Sequence, residues 1–202
     1  AIGGPDQFYL EVDGKTFTQK NILFTNTGSA FLAIFAPTFI VGNATTAFDQ
    51  FNEIILTEKL AQRFFGKNWQ AQDLSQIDLQ LAEETYRIVG VVENPPTNIH
   101  YEYELLVNQK RIPSWGAYTY LKTRPEVAIN GVLAQLNQEV DRVYPGYTEI
   151  ELSKGISAIP LSEIHFTSDM LYEPTPVANT SYLNTFGLIG LLILLIIWTN
   201  YT

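Results

Sequence analysis

Two histidines and no cysteine make up the whole supply of imidazole and thiol in these 202 residues. His100 and His165 are not spaced as helical metal ligands, and no carboxylate can be tied to either by sequence separation. A lone histidine of this kind reads as a hydrogen-bonding residue at a loop or strand edge rather than as a proton shuttle. Without cysteine there is no disulfide, no thiolate zinc site and no cysteine nucleophile, and the redox compartment stays unreadable. Neither G-x-x-x-x-G-K-[ST] nor G-x-G-x-x-G occurs, so no phosphate-cradling loop and no nucleotide cofactor is expected. A G-x-S-x-G nucleophile elbow is also missing. The Glu83-Glu84 pair could do acid and base work, yet in an acidic chain it reads better as solvated surface. These residues point away from an enzyme and imply neither a metal nor a cofactor.

The chain is long enough for one large or two small domains with a real core. Its 21 acidic against 12 basic residues repel phosphate backbones, which argues against nucleic acid as a partner. Ala1-Ile2-Gly3-Gly4 has no basic or apolar signal character and reads as a fragment boundary.

The sharpest physical signal lies at the other end. From Phe186 to Trp198 every side chain is apolar or glycine, and no charged residue follows Glu173. Leu188, Ile189, Leu191, Leu192, Ile193, Leu194, Leu195, Ile196 and Ile197 each favour bilayer insertion by about 0.5 kcal/mol, so together they supply roughly 4 to 5 kcal/mol. A buried core helix is the competing reading, since a span needs about 20 residues. The run is apolar all round, whereas a core helix at a domain edge keeps a polar stripe. Residues 182–202 are therefore expected to begin a transmembrane helix.

The elements ahead of it read as a mixed α+β fold. Gln7–Val12 and Lys15–Phe24 alternate around Asp13-Gly14, which predicts a hairpin with a type I′ turn. Ala30–Val41 reads as a short helix and then a strand, with Pro37 precluding one long helix. Ile54–Leu56 reads as a buried strand leading into an amphipathic helix. Thr57 is its N-cap, Glu58 its acidic first turn, Leu60, Ala61, Phe64 and Phe65 its apolar face, and Gly66 its C-cap. Lys59 and Arg63 could form a binding patch, but their spacing reads as a solvated face. Strands are predicted over Thr85–Glu93, stopped by Asn94-Pro95-Pro96, and over Tyr101–Val107, Tyr118–Lys122 and Glu149–Pro160. Pro125 opens a second helix whose apolar positions are Ile129, Val132, Leu133, Leu136, Val140 and Val143.

Several stretches, in order, resemble the periplasmic core domain of MacB/FtsX-type ABC transporter permeases. Phe39-Ile40-Val41-Gly42-Asn43 with Thr46-Ala47-Phe48 is similar to F-L-x-G-(D/N)-x-x-T-A-L. Ile54 to Ala61 with Phe64-Phe65-Gly66 resembles I-V-L-T-E-x-L-A-x-x-Y-F-G, and Tyr86 to Val92 with Pro96 and Asn98-Ile99-His100 resembles Y-x-V-x-G-V-x-x-x-x-P-x-N-S-H. Tyr118-Thr119-Tyr120, Leu161 to Phe166 with His165, and Thr199 to Thr202 match later passages. Gln70–Leu81 departs from the family by lacking the glycine of its P-I-G-K turn.

The resemblance implies a two-lobed periplasmic domain. A discontinuous porter-like lobe would comprise residues 1–24 and 111–181, and a β-rich inserted lobe residues 25–110. It marks Gly42, Thr57, Glu58, Leu60, Ala61, Phe65, Gly66, Gly90, Val91, Pro96, His100 and His165 as motif positions. The implied role is mechanical: a permease subunit of the bacterial inner membrane, with most of this chain on the periplasmic side, transmits motion from ATP hydrolysed in a separate cytoplasmic subunit or domain. The implied partners are the lipid bilayer, that ATP-binding subunit or domain, a second permease subunit in a homo- or heterodimer, and a periplasmic adaptor or substrate protein. The rivals are a membrane-anchored extracytoplasmic binding module unrelated to ABC transport, and a soluble enzyme that buries the Leu/Ile run.

Overall fold

A computed structural model describes residues 8–97, 99, 102–110, 118–145, 155–164 and 180–201. The chain divides into two compact units, residues 1–122 and 123–202.

The first unit is built on one mixed sheet. Its strands are β1 (Phe8–Val12), β2 (Lys15–Gln19), β3 (Ile22–Thr25), β4 (Phe39–Gly42), β5 (Glu53–Thr57), β6 (Asp78–Leu81), β7 (Glu84–Val92) and β8 (Leu105–Asn108). Helices α1 (Ser29–Phe35) and α2 (Glu58–Phe65) and two single 3-10 turns, Trp69–Ala71 and Leu74–Gln76, fill the connections. The spatial order is β2-β1-β6-β7-β5-β8-β3, with β4 pairing the far end of β7.

That order has a geometric consequence. β2 and β3 stand at opposite ends of the path, yet only Lys20 and Asn21 separate them. Three virtual bonds of 3.8 Å allow at most about 11 Å between Gln19 and Ile22. The sheet must roll until its first and last strands nearly meet. Inside the roll lie Leu10, Val12, Ile22, Ile54, Leu56, Leu79, Leu81, Ile88, Leu105 and Val107, packed with Leu60, Ala61 and Phe64 of α2 and with Trp69 and Leu74. Outside it, a second core joins Leu23, Ile55, Leu106 and Val92 to Phe31 and Leu32 of α1. Strand alternation sends neighbouring residues of β5, β8 and β3 to different cores, which is why β5 and β8 are buried along their whole length.

β7 serves both cores through a bulge. Ile54 pairs Ile88 and Ile55 pairs Gly90, so Val89 is the extra residue. Tyr86 and Ile88 therefore face the inner core at even positions, and Val91 faces it at an odd one. Close beside the bulge, Gly42 has φ +89° and a Cβ there would lie 2.5 Å from the Val89 carbonyl oxygen. A Cβ on Gly90 would meet the Phe39 ring at 2.7 Å.

Most expected elements are present. The β1–β2 hairpin turns at Asp13 (φ 50°) and Gly14 (φ 69°), as a type I′ turn demands. The predicted strand Lys15–Phe24 is instead two strands, because Asn21 (φ 56°) breaks the run at the sheet's corner. The short helix and strand of Ala30–Val41 appear as α1 and β4. β6 and β7 form a hairpin across Ala82-Glu83, with Ala82 at φ 57° in place of a turn glycine.

Tyr118–Lys122 is no strand. It is held by side chains, with Tyr120 edge-on to Phe35 at 4.9 Å and Lys122 Nζ donating to the Ala33 carbonyl at 3.3 Å. Of Glu149–Pro160, residues 149–154 lie outside the described residues, and 155–160 have no strand partner among the described ones.

The second unit contains α3 (Ile129–Val143) and α4 (Thr180–Tyr201). α3 starts later than Pro125, because Pro125 occupies the second position of a turn in which the Val127 N–H donates to the Arg124 carbonyl at 3.0 Å. Ala128, in extended conformation, then precedes the helix. Its apolar face is not buried: Ile129, Leu136 and Val143 are exposed and Val132, Leu133 and Val140 half-buried. Asn137 ties α3 to the following segment, its Oδ1 accepting from the Ile156 N–H at 2.6 Å and its Nδ2 donating to the Ile156 carbonyl at 3.0 Å.

Gly42→Ala should combine left-handed strain with a backbone clash and lower unfolding stability by about 2 kcal/mol or more. Gly66, at φ +80° with open space around its Cβ position, should cost about 1 kcal/mol on the same substitution. Urea midpoints of the two variants check the ranking.

Candidate functional site

α4 is the first candidate. Its Asn184–Tyr201 stretch is long and apolar enough to cross a membrane, and none of it is buried. Leu188, Ile189, Leu191, Leu192, Ile193, Leu194, Leu195, Ile196 and Ile197 are all between 46% and 65% exposed, and Phe186 and Trp198 are each 69% exposed. A soluble fold would leave this much contiguous apolar surface bare only at the cost of several kcal/mol. The core-helix reading requires burial, and the described residues bury none of this stretch. Near the end of α4 the Thr199 hydroxyl donates to the Ile196 carbonyl at 2.9 Å, so this polar group is satisfied within the helix.

The second candidate is the corner where the sheet closes. Gln19, fully buried at the end of β2, donates through Nε2 to Glu104 Oε2 at 2.7 Å and to the Lys20 carbonyl. Its Oε1 accepts from Arg63 Nη1 at 3.1 Å, while Arg63 Nη2 donates to the Thr18 carbonyl at 2.7 Å. Lys59, one turn earlier on α2, pairs with Glu104 at 2.6 Å. The Glu104 N–H donates to the Asn21 carbonyl at 2.9 Å and the Glu104 carbonyl accepts from the Thr57 N–H at 3.0 Å. The spacing of Lys59 and Arg63 alone reads as a solvated helix face. They are exposed, but both clamp α2 across the joint between β2 and the approach to β8.

The motif residues place α2 on this joint. Thr57 caps the helix, its Oγ1 accepting from the Leu60 N–H at 3.4 Å. Glu58 accepts from Gln62 Nε2 at 3.3 Å. Leu60 and Ala61 are buried, and Phe65 packs edge-on to Phe64 at 6.1 Å. Gly66 ends the helix with its N–H donating to the Gln62 carbonyl at 2.8 Å, at φ 80° and ψ −176°, an extended positive-φ shape rather than the expected left-handed helical one. Asn94 Oδ1 accepts from the Lys59 N–H at 3.0 Å, and Pro96 lines a shallow cleft of about 220 Å³ beside it. Val91 is fully buried, and Gly42 and Gly90 permit the tight β4–β7 approach. His100 and His165 lie outside the described residues.

Two further buried polar groups were not anticipated. Glu53 pairs with Arg87 and accepts from the Gln50 N–H at 3.4 Å, on the wall of a cleft of about 510 Å³ between β4 and the Leu74–Gln76 turn. The Asn108 side-chain amide donates to the carbonyls of Phe48 (3.3 Å) and Gln50 (2.6 Å), and the Asn108 backbone carbonyl accepts from the Asn52 N–H at 2.8 Å. It thereby holds a loop in which Phe48 and Asn52 both have positive φ. Among the described residues no three His, Asp or Glu side chains are grouped to hold a metal.

Burial alone would raise the Glu104 carboxyl, but hydrogen bonds from Lys59 and Gln19 and the charges of Lys59 and Arg63 outweigh it and hold it below its ordinary value of 4.5. A depressed folded-state value contributes stability that is fully present above 4.5 and is lost as the pH falls through the lower folded value. Glu104→Gln should therefore cost about 1 kcal/mol at neutral pH and remove this component of acid destabilisation. Unfolding free energies of both proteins between neutral and strongly acidic pH should converge as the pH falls.

No protein-family model matches this chain, and no curated relative does either. Among solved structures, the fold matches a domain of a candidate permease protein from Porphyromonas gingivalis. The TM-score is 0.54 at 22% identity, over 71% of this chain and 68% of that one. The periplasmic region of MacB from Actinobacillus actinomycetemcomitans aligns with a TM-score of 0.47 at 14% identity, over 68% and 63%. The extracellular domain of the noncanonic ABC-type transporter YknZ from Gram-positive bacteria aligns with a TM-score of 0.36 at 12% identity, over 50% and 49%. The α+β fold expected from the sequence is thus that of a solved permease domain.

Proposed function

We propose that this chain is the extracytoplasmic part of an ABC transporter permease subunit in the bacterial inner membrane. The observation that carries the reading is α4, an uncharged helix with its Leu and Ile side chains bare on all sides, attached to an acidic water-soluble globule. Lipid is the solvent that suits such a helix. The motif order in β4, β5, α2 and β7 and the permease-domain fold support the same assignment.

On this reading the domain does no bond chemistry. ATP is hydrolysed by a separate cytoplasmic subunit or domain, and membrane helices carry the resulting motion outward. A rolled sheet with two cores suits force transmission because close-packed interiors pass on strain with little compression. The permease would work as a homo- or heterodimer and act on a periplasmic adaptor or substrate protein. The porter-like and inserted lobes remain part of the proposal, with β1 to β8 as their shared sheet.

The chain has no cysteine, so a single thiol reports topology cleanly. Tyr9→Cys, at a 69% exposed site on β1, should react with a membrane-impermeant maleimide added to intact spheroplasts. Leu192→Arg should cost about 2.5 to 3.5 kcal/mol of insertion and shift the protein from the carbonate-resistant membrane fraction. A full-length protein that is membrane-bound yet never co-purifies with an ATP-binding subunit or domain would favour the anchored binding module instead.

A further inference from the structure

The β1–β2 hairpin is attached to the unit unevenly. Toward its turn it is held by the β1–β6 ladder, Leu10 to Leu81, Glu11 to Gln80 and Val12 to Leu79. At its other end, Phe8 and Gln19 face each other, and β1 has no register pair with β6 beyond Leu10. There the hairpin meets the rest of the unit through the Gln19 and Arg63 contacts, the Phe8 ring against Phe24 and the two-residue link to β3. Its outer face is bare at Tyr9, Glu11 and Thr16. β5, by contrast, is paired on both sides and buried throughout. Local opening starts where backbone pairing and burial are least.

We propose that Gln19, Glu104, Lys59 and Arg63 form a latch, and that the β1–β2 hairpin opens about its β6 ladder as a flap when this latch is broken, while β5, β7 and β8 stay folded. The contacts are mutually dependent. Gln19 uses both ends of its buried amide, one on Glu104 and one on Arg63. Lys59 and Arg63 present their charges to the corner from α2, and Glu104 presents its own from the approach to β8. Loss of the carboxylate charge weakens the Lys59 arm and one arm of Gln19 together, and a buried amide short of partners is relieved by water entering the corner. Beneath the flap the Phe17 ring lies 4.6 Å from Phe64, and the Phe8 ring 5.6 Å from Phe24. Opening separates hairpin rings from partners on α2 and β3. The latch does not depend on the membrane assignment.

Hydrogen exchange read by mass spectrometry on the intact, detergent-solubilised protein tests this at one fixed neutral pH. Glu104→Gln, and separately Lys59→Met as the milder change, should speed exchange of amides in residues 8–19 by on the order of tenfold, because a hairpin swung off the unit is only marginally stable on its own, with residues 53–56 and 86–92 unchanged. Equal acceleration in all three segments would mean global unfolding and would overturn the flap. Unchanged exchange in residues 8–19 of both variants would overturn the latch.

Discussion

Closing an eight-stranded sheet with a two-residue link is the constraint on which the first unit depends. Once Lys20-Asn21 joins the two ends of the strand order, rolling is obligatory, and the inner face has to be filled. α2 supplies the filling because it leaves β5 directly, with Thr57 both the last residue of the strand and the cap of the helix. The corner itself cannot be apolar. Strands that converge without laddering leave backbone carbonyls such as that of Thr18 with no sheet partner, and Arg63 and Gln19 answer that need.

Local elements were legible in the residues because each follows from short-range chemistry. Asp13-Gly14 dictates its turn, Thr57 and Gly66 bound α2, and Pro95-Pro96 stops β7. The long-range organisation was not. Gln19 is a polar residue on the inward alternation of Phe17, and this parity was the one available hint that an amide would be buried. Its partner Glu104 sits 85 positions away, and no spacing rule connects them. Lys59 and Arg63 looked solvated for the same reason, since a helix-face pattern carries no information about what approaches from another strand. Pro125 misled in a different way: a proline suits the second position of a turn as well as the first turn of a helix, and the Arg124 carbonyl took the turn.

The two halves of the chain solve opposite solvent problems. The sheet unit hides its aliphatic residues and pairs most of the polar groups it encloses: the Asn108 amide donates to loop carbonyls, although its Oδ1 has no partner among the described residues, and Glu53 takes a loop N–H and Arg87. α4 does the reverse, exposing aliphatic residues and closing its backbone within itself. Composition exposed this contrast from the start, because a helix bare of charge needs no tertiary knowledge to be recognised. α3 stands between them in character, amphipathic in sequence and half-covered in its own unit.

The extra residue at Val89 makes β7 behave as a phase shifter. Upstream of it one reading frame of alternate side chains addresses the inner core, and downstream the other frame does. Chain length between Tyr86 and Val92 is therefore more tightly constrained than residue identity. An aliphatic exchange there perturbs one cavity, whereas a single insertion or deletion transposes the contents of two.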